Sequence, residues 1–470
     1  MLMASTQRLV GVVIALVALL TASTAWATII VSGSSPAYNG SDDPWAPASL
    51  MVGNAFGAGH LTINGGSAVN SGQCIMLSPP GAGPSTVTVT GAGSTWTNSL
   101  PLSFGSSGNA TLNILGGGSV TDTAGTITSS SGTGSVTVGG GTGAATWINS
   151  GSLTLSSTGT LNINSGGLVS ASSLVTGSGS PNLNFGGGAL RIIATGSATT
   201  AMNLQAGGGT LDVPTVGSTF TPSGLISGVD GLTKTGAGTL QLQRAETYGG
   251  ATNVSGGTLK LAGSGSVANS PTISVASGAK LDGSGVTAGL NYDGHRFSLA
   301  AGQTLKGDGT VVGALGVAAG SEIDPGTSIG TLTTGNLVFA AATSILRPEI
   351  DLGAVLRADL LNLTGTITLG GARLDVTLLN TPAVPTTPET FLLIANDGAD
   401  PVIGTFGAID VPGFITTIDY AYTGTDVLGR VGDGNDVALT LVAVPEPSGL
   451  LLAATALAVC FVVASRNPAP

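Results

Sequence analysis

Two stretches of the sequence decide the fold: ATLNILGGGSV at residues 110–120 and GTLNINSGGLV at residues 159–169. Each joins a short alternation of polar and apolar residues to two or three consecutive glycines. Alternation with a period of two is typical of a β-strand, whose successive side chains face opposite sides. Leu112 and Ile114 are therefore predicted to point inward and their polar neighbours outward, while the glycines turn the chain.

The likeness of these stretches is part of a longer repeat. GAGSTWTNS at 91–99 returns as GTGAATWINS at 141–150, which places Trp96 and Trp147 about 50 residues apart. Strand-like segments divide this unit into halves of about 25 residues. A unit this short cannot bury an apolar face alone, but stacked copies can, because each pairs its strands with the next. We predict an all-β fold, a right-handed parallel β-helix or solenoid of short strands.

Composition supports this fold and excludes some functions. Charged residues make up 8% of the 470 residues and aromatic residues 4%, with 77 glycines, which disfavours a helical or α/β core. The hydrophobic content of 42% is too high for a disordered chain. No lysine or arginine occurs between residues 9 and 190. Nucleic-acid binding, which needs clustered cations, is therefore not expected.

The N-terminus has the pattern of a secretory signal peptide. Arg8 precedes an apolar segment, and Ala25 and Ala27 form an A-x-A cleavage site. We expect a signal helix at residues 1–27, engagement of the Sec translocon, and secretion of the remainder.

The C-terminus carries a short motif, an apolar run of 16 residues and then one cation, Arg466. The motif consists of Val444, Pro445, Glu446, Pro447 and Ser448. In this order the three features resemble the PEP-CTERM sorting signal. The resemblance implies a C-terminal hydrophobic helix held transiently in the inner membrane, with Arg466 as the membrane stop. It also implies processing by an exosortase-type enzyme in a Gram-negative-type bacterium.

A second resemblance lies in the middle of the chain. Residues 231–267 contain K-T-G, G-T-L, Y-G-G and G-G-T-L phrases in the order of the autotransporter-associated β-strand repeat. PGTSIGTL at 325–332 and GDGND at 432–436 are similar to phrases of the closing coils in that family. The resemblance implies a passenger-like β-helix and no particular chemistry.

Five segments are predicted from these patterns. They are a signal peptide at 1–27, a β-helical repeat region at 28–185, an autotransporter-associated repeat region at 186–345, an acidic C-terminal β capping region at 346–443, and the sorting signal with its transmembrane segment at 444–470.

Two pairs of carboxylates are candidates for catalysis. Glu322 and Asp324 flank one residue, as do Glu349 and Asp351, and Arg347 lies nearby. Paired carboxylates at such spacing serve glycosidases. Sugar-cleaving sites also use aromatic platforms, which are scarce here. We expect solvated acids at the coil rims and no enzymatic activity.

Metal chemistry has little support. Asp433 and Asp436 in GDGND are a weak calcium candidate, because a calcium-binding roll needs neighbouring copies of the motif and one copy is present. We expect no cofactor. The histidines, His60 and His295, provide little material for a catalytic triad or a metal centre.

The sequence therefore predicts a non-enzymatic, adhesin-like structural protein of the cell surface, outer membrane or extracellular matrix. Extracellular polysaccharide is its expected partner, through many weak contacts. The alternative is a β-helical polysaccharide lyase or glycoside hydrolase. A remote alternative is ice binding, because the threonines of residues 86–90 could face an ice lattice, although that pattern does not continue as threonine from coil to coil.

Overall fold

A computed structural model describes residues 28–32, 34–35, 44–53, 57–78, 83–128, 132–353, 355–380 and 387–444. This part of the chain contains 50 strands in six sheets and no helix. The predicted all-β parallel solenoid is confirmed. The signal helix and the C-terminal hydrophobic helix that the sequence predicts lie outside the described residues.

In the amino-terminal half, the chain visits three sheets in turn, which we call the first, second and third faces. The strands of the first face are Thr28–Ser32, His60–Asn64, Ser85–Thr90, Ala110–Leu115, Gly134–Val138, Thr160–Asn164, Asn182–Gly186, Met202–Leu204 and Ile226–Gly228. The strands of the third face are Ser34–Ser35, Ser49–Val52, Gln73–Leu77, Leu102–Ser107, Gly125–Ile127, Ser152–Ser157 and Ser173–Gly179.

The second face is a 15-stranded sheet that continues through both halves of the chain. Its strands are Ala68–Ser71, Thr95–Asn98, Ser119–Asp122, Ala145–Asn149, Gly167–Ala171, Ala189–Ile192, Gly209–Asp212, Leu232–Thr235, Thr252–Val254, Thr272–Val275, Thr304–Gly307, Glu322–Pro325, Ile345–Leu346, Arg373–Asp375 and Ala408–Asp410.

In the carboxy-terminal half, three other sheets accompany the second face. The 11-stranded sheet contains Gly196–Ala198, Thr219–Pro222, Thr239–Leu242, Thr258–Gly263, Lys280–Val286, Thr310–Val312, Thr331–Thr334, Leu360–Leu363, Glu389–Asn396, Phe414–Tyr422 and Asp436–Ala443. The five-stranded sheet contains Phe297–Leu299, Leu315–Val317, Leu337–Phe339, Ile367–Thr368 and Val402–Ile403. The three-stranded sheet contains Glu349–Asp351, Arg357–Ala358 and Thr377–Leu379.

The core is built from inward residues stacked from turn to turn. Leu112 pairs in parallel register with Val87 on one side and Val136 on the other, and all three are fully buried. Ile114 is buried as well, while the threonine and asparagine that alternate with these residues are partly exposed. The predicted orientation of this strand is confirmed.

The length of a turn changes along the molecule. Ser119 and Thr146, which contact each other from adjacent turns, are 27 residues apart. Arg191 and Asp212 stand in the same relation at a separation of 21 residues. The turns of about 25 residues that the sequence predicts are therefore found in the amino-terminal half, and they shorten toward the middle.

The 50-residue period comes from tryptophans in alternate turns. Trp96 and Trp147 lie in one inward column of the second face, separated by Val120. Each indole Nε1 donates a hydrogen bond of 3.0 Å to the preceding turn, Trp96 to Ser71 Oγ and Trp147 to Asp122 Oδ2. The repeated unit is therefore a pair of turns.

Antiparallel strands stand at both ends of the parallel stack. Thr28–Ser32 pairs antiparallel with His60–Asn64 at the beginning. At the other end, Asp436–Ala443 pairs antiparallel with both Glu389–Asn396 and Phe414–Tyr422. The Phe406 and Tyr420 rings pack with centroids 6.2 Å apart. Such reversals end the stacking of turns and limit the exposure of unpaired backbone groups.

Candidate functional site

The predicted terminal signals lie almost entirely outside the described residues. This holds for Ala25, Ala27, Pro445, Glu446, Pro447, Ser448 and Arg466. Val444 is described and is exposed directly after the last strand. Within the described ranges, no helix has the length and apolar character needed to span a membrane.

The carboxylates of the acidic half form ion pairs across the strands of the second face. Arg347 lies between Glu322 and Asp375, with N–O distances of 3.0 and 2.9 Å. Arg373 pairs with Asp410 at 2.6 Å and lies 3.6 Å from Asp375. We call these five residues the charged ladder. Because the acids alternate with arginines, the arrangement balances charge along the face.

Asp324 lies beside this ladder, paired in strand register with Lys306. Burial raises the pKa of Asp324 to about 6, helped by the charges of Glu322 and Glu349 and opposed by Lys306 and Arg347. A carboxyl with such a pKa can exchange a proton near neutral pH, which is the property of a general acid.

The two carboxylates of the second predicted acid pair, Glu349 and Asp351, have different surroundings. Asp351 is buried, accepts hydrogen bonds from Arg357 at 2.6 Å and Asn380 at 3.1 Å, and has a pKa held below its usual range chiefly by the Arg357 hydrogen bond. Asp351 thus stabilises the three-stranded sheet to which it belongs. The Glu349 carboxylate differs, because its Oε2 is buried without a hydrogen-bond partner among the described residues. Its charge raises the pKa of Asp324 and of Asp359, and Asp359 Oδ2 accepts a hydrogen bond of 2.6 Å from the Glu349 backbone N–H.

Asp359 is a buried acid that sequence reasoning missed. Burial raises its pKa to about 7, against two backbone hydrogen bonds that favour the carboxylate. Its Oδ1 accepts from the Gly330 backbone N–H at 2.7 Å, and Asp308 accepts from Thr327 Oγ1 at 3.1 Å and the Thr331 N–H at 3.2 Å. Two carboxylates therefore hold the PGTSIG loop, and the glycine-rich phrase was the signal for it.

The GDGND turn uses its carboxylates to bind backbone amides. Asp436 accepts from the N–H groups of Asn396 at 2.7 Å and Asp433 at 2.9 Å, one on each oxygen. Asp433 accepts from the Gly398 N–H at 3.2 Å. Among the described residues, no group of three or more histidine, cysteine, aspartate or glutamate side chains could hold a metal ion.

The first face carries two parallel rows of outward residues, which we call the polar rows. Strand register aligns one row as His60, Thr86, Thr111, Ser135, Thr160 and Asn182. It aligns the other as Thr62, Thr88, Asn113, Thr137, Asn162, Asn184, Asn203 and Ser227. The threonines are not sustained from coil to coil, as the sequence indicated, but asparagine and serine continue the pattern.

All residues of the polar rows carry a hydroxyl or amide group except His60, which begins its strand and is exposed. Their side chains are partly or largely exposed. Some are held by their neighbours: Asn184 Nδ2 donates to Asn162 Oδ1 at 2.9 Å, and Asn203 Nδ2 donates to Asn184 Oδ1 at 3.4 Å. The rows therefore form a regular surface of hydroxyl and amide groups.

A lysine occupies the inward column of the second face. Lys234 is aligned between Leu211 and Val254 and is fully buried. Its Nζ donates to the carbonyl oxygens of Thr235 at 2.6 Å and Gly236 at 2.9 Å, and to a third carbonyl one turn away. Burial lowers the pKa of the Lys234 ammonium to about 8. Sequence reasoning did not foresee this burial.

Comparison with protein families gives one match in this region. Residues 232–261 match the passenger-associated-transport-repeat, a segment that begins with the strand carrying Lys234. No curated protein matches the sequence. The matched repeat and the stacked turns make the chain similar to autotransporter passengers, which points to an exported, surface-associated protein of the Gram-negative type.

Proposed function

We propose that the protein is a non-enzymatic structural and adhesin-like component of the cell surface or extracellular matrix. Its passenger-like repeat and parallel solenoid support export. The absence of enzymatic activity is supported by the partners of the candidate carboxylates. Glu322 and Asp351 each form an ion pair with an arginine, and Asp436 accepts hydrogen bonds from backbone amides. Acids engaged in this way stabilise the stack. Among the described residues, Asp324 and Glu349 are the two predicted catalytic acids that form no ion pair.

We further propose that residues 444–470 act as a PEP-CTERM sorting signal processed by an exosortase-type enzyme. The motif, apolar run and Arg466 support this assignment. Mass spectrometry of the C-terminus should find a cleaved end near the motif in surface and secreted fractions, and an intact end in the inner membrane. An intact terminal segment on all surface protein would refute processing.

Surface exposure has its own test. In intact cells of the source organism, added protease should degrade the mature chain. A variant lacking residues 444–470 should be recovered in a different cell fraction from the wild-type protein. Wild-type protein that stays protected inside intact cells would contradict the proposed function.

A polysaccharide-cleaving enzyme is the second candidate, favoured by the raised pKa values of Asp324 and of Asp359, each of which the charge of Glu349 helps to raise. We expect no release of reducing or unsaturated sugar ends from neutral or acidic polysaccharides. Activity that disappears in Asp324→Asn and survives in Asp410→Asn would establish the enzyme instead.

A further inference from the structure

We propose that the polar rows of the first face form an extended binding site for an uncharged polysaccharide chain lying along the solenoid axis. This inference rests on the proposed function, and it names the ligand class and the face that binds it.

The spacing of the rows suits a polymer. Adjacent strands lie about 4.8 Å apart, and alternate residues along a strand are separated by about 7 Å. The longer row crosses eight strands, from Thr62 to Ser227, so it extends over roughly 34 Å. A chain of repeated sugars can therefore contact similar groups at many turns, and weak contacts add through multivalency.

The chemistry of the rows favours an uncharged ligand. Threonine and serine hydroxyls both donate and accept hydrogen bonds, as do asparagine amides taken as a whole. These are the properties of sugar hydroxyl groups too. The strands of the first face contain no lysine, arginine, aspartate or glutamate. An acidic polymer would find no cation there to offset the loss of its hydration.

The other faces carry shorter rows of this kind. One on the second face ends at Lys306 after four uncharged residues, Thr210, Thr233, Asn253 and Ser274. The second face carries the charged ladder and the Arg191–Asp212 ion pair. On the third face, Ile75 and Val175 stand at the two ends of a row of three hydroxyl residues, Ser103, Thr126 and Thr154. Among the described strands, the longest uncharged row of outward hydroxyl and amide groups is the one that crosses eight successive strands of the first face, from Thr62 to Ser227.

The polar rows are organised before a ligand binds. Every row residue except Ser227, which lies on the edge strand of the sheet, is on a strand paired on both sides; Asn113, for example, lies between Thr88 and Thr137. The asparagine contacts between turns restrict the amides further. Binding to groups that are already ordered loses less conformational entropy.

The test measures binding of the secreted, mature chain to a soluble uncharged glucan and to alginate, an acidic polymer. The row variant combines Thr62→Val and Thr88→Val, two register-paired threonines, which preserves shape and strand preference but removes two hydroxyls. The matched control combines Thr126→Val and Thr154→Val, two outward, register-paired threonines of the third face. Unfolding curves of all variants establish that they fold.

We expect wild type to bind glucan and not alginate, the row variant to lose about tenfold or more in affinity, and the control to stay within about twofold. Equal losses in both variants, or preference for alginate, would overturn the inference. So would thermal hysteresis without glucan binding, which would identify ice as the ligand. Failure to bind glucan by a protein exposed on the cell surface refutes this inference alone, whereas retention inside the cell refutes the proposed function.

Discussion

At the scale of single residues, the corner formed by Asp122 and Asn149 places two buried acceptors next to each other. The residues are register partners on adjacent turns, 2% and 0% exposed. Asp122 Oδ2 accepts from Trp147, but Oδ1 of Asp122 and Oδ1 of Asn149 find no hydrogen-bond partner among the described residues. A proton on Asp122 would convert one acceptor into a donor, and burial raises the pKa of this carboxyl to about 7.

This geometry predicts that the free energy of unfolding depends on pH. In the unfolded chain Asp122 ionises near its ordinary pKa of 3.8, whereas the folded carboxyl keeps its proton to about pH 7. The unfolded state then binds fewer protons, so the free energy of unfolding falls as pH rises from about 4 to about 7. Asp122→Asn, which mimics the protonated acid, should remove a part of this fall on the order of a few kcal/mol. Chemical denaturation at several pH values measures it; parallel curves for both proteins would contradict the prediction.

The glycine at 330 is required by a close approach. A Cβ at this position would overlap the carboxylate of Asp308, which accepts from the Thr331 N–H. Gly330→Ala should therefore lower the free energy of unfolding by about 1–3 kcal/mol, since the loop and its carboxylates must move apart. The control is Gly196→Ala, which should cost less than Gly330→Ala because a Cβ at residue 196 would meet open space. Gly278 also has open space, but its φ of +75° would add backbone strain to an alanine. Equal losses by denaturation would count against the close contact.

At the scale of elements, one tryptophan holds each pair of turns together, and the contacts of Trp96 and Trp147 are not equivalent. The Trp147 ring also packs edge-on against Phe104, with centroids 6.0 Å apart. Trp96 donates to Ser71 Oγ, whose hydroxyl keeps a second bond of 2.6 Å to Asn98. Loss of the indole N–H therefore affects Asp122 more than Ser71, because the Asp122 carboxylate has fewer other partners.

Trp147→Phe should cost more stability than Trp96→Phe. Both substitutions shorten a buried ring, but the first leaves a buried acid oxygen without its donor, which adds about 1–3 kcal/mol. Thermal and chemical unfolding of the two variants give the comparison. A larger cost for Trp96→Phe would show that ring packing, and not the hydrogen bond to Asp122, controls this element.

The end strands are a second feature at this scale. A parallel turn pairs with its successor in the same direction, so a stack of such turns always leaves an open edge. The antiparallel strands Thr28–Ser32 and Phe414–Tyr422 reverse the chain at the two ends. Phe414, Ile418 and Tyr420 pack against the core from the last of these strands. Reversal combined with apolar packing is what ends the repeat.

At the scale of the whole molecule, each turn contacts mainly its neighbours, so disturbance should remain local. Leu240 is fully buried and pairs with Phe220 and Leu259 in adjacent turns. Leu240→Ala should open a cavity and cost about 2–5 kcal/mol locally. Hydrogen exchange should then rise in the turns around residue 240 and stay unchanged in strands such as Ala110–Leu115. A uniform rise across all the described strands would indicate a single cooperative unit.

Part of this structure could be predicted because its signal is local. The alternation around Leu112 determines which side chains point inward, and the glycine pairs determine where the chain turns. The recurrence of Trp96 and Trp147 indicates a stack of paired turns. The PEP-CTERM-like tail remains a prediction from sequence, since it falls outside the described residues.

What the sequence by itself determined is therefore the period of the chain: strand, turn, strand, with an apolar side that must be covered. Only the tertiary structure decided which distant residues align, and with them the polar rows, the burial of Lys234 and the pairing of Arg347 with Glu322 and Asp375. The physical reason is that register between turns depends on the number of residues in each loop. That number varies from turn to turn, so the alignment is settled by backbone pairing and core packing of the assembled stack.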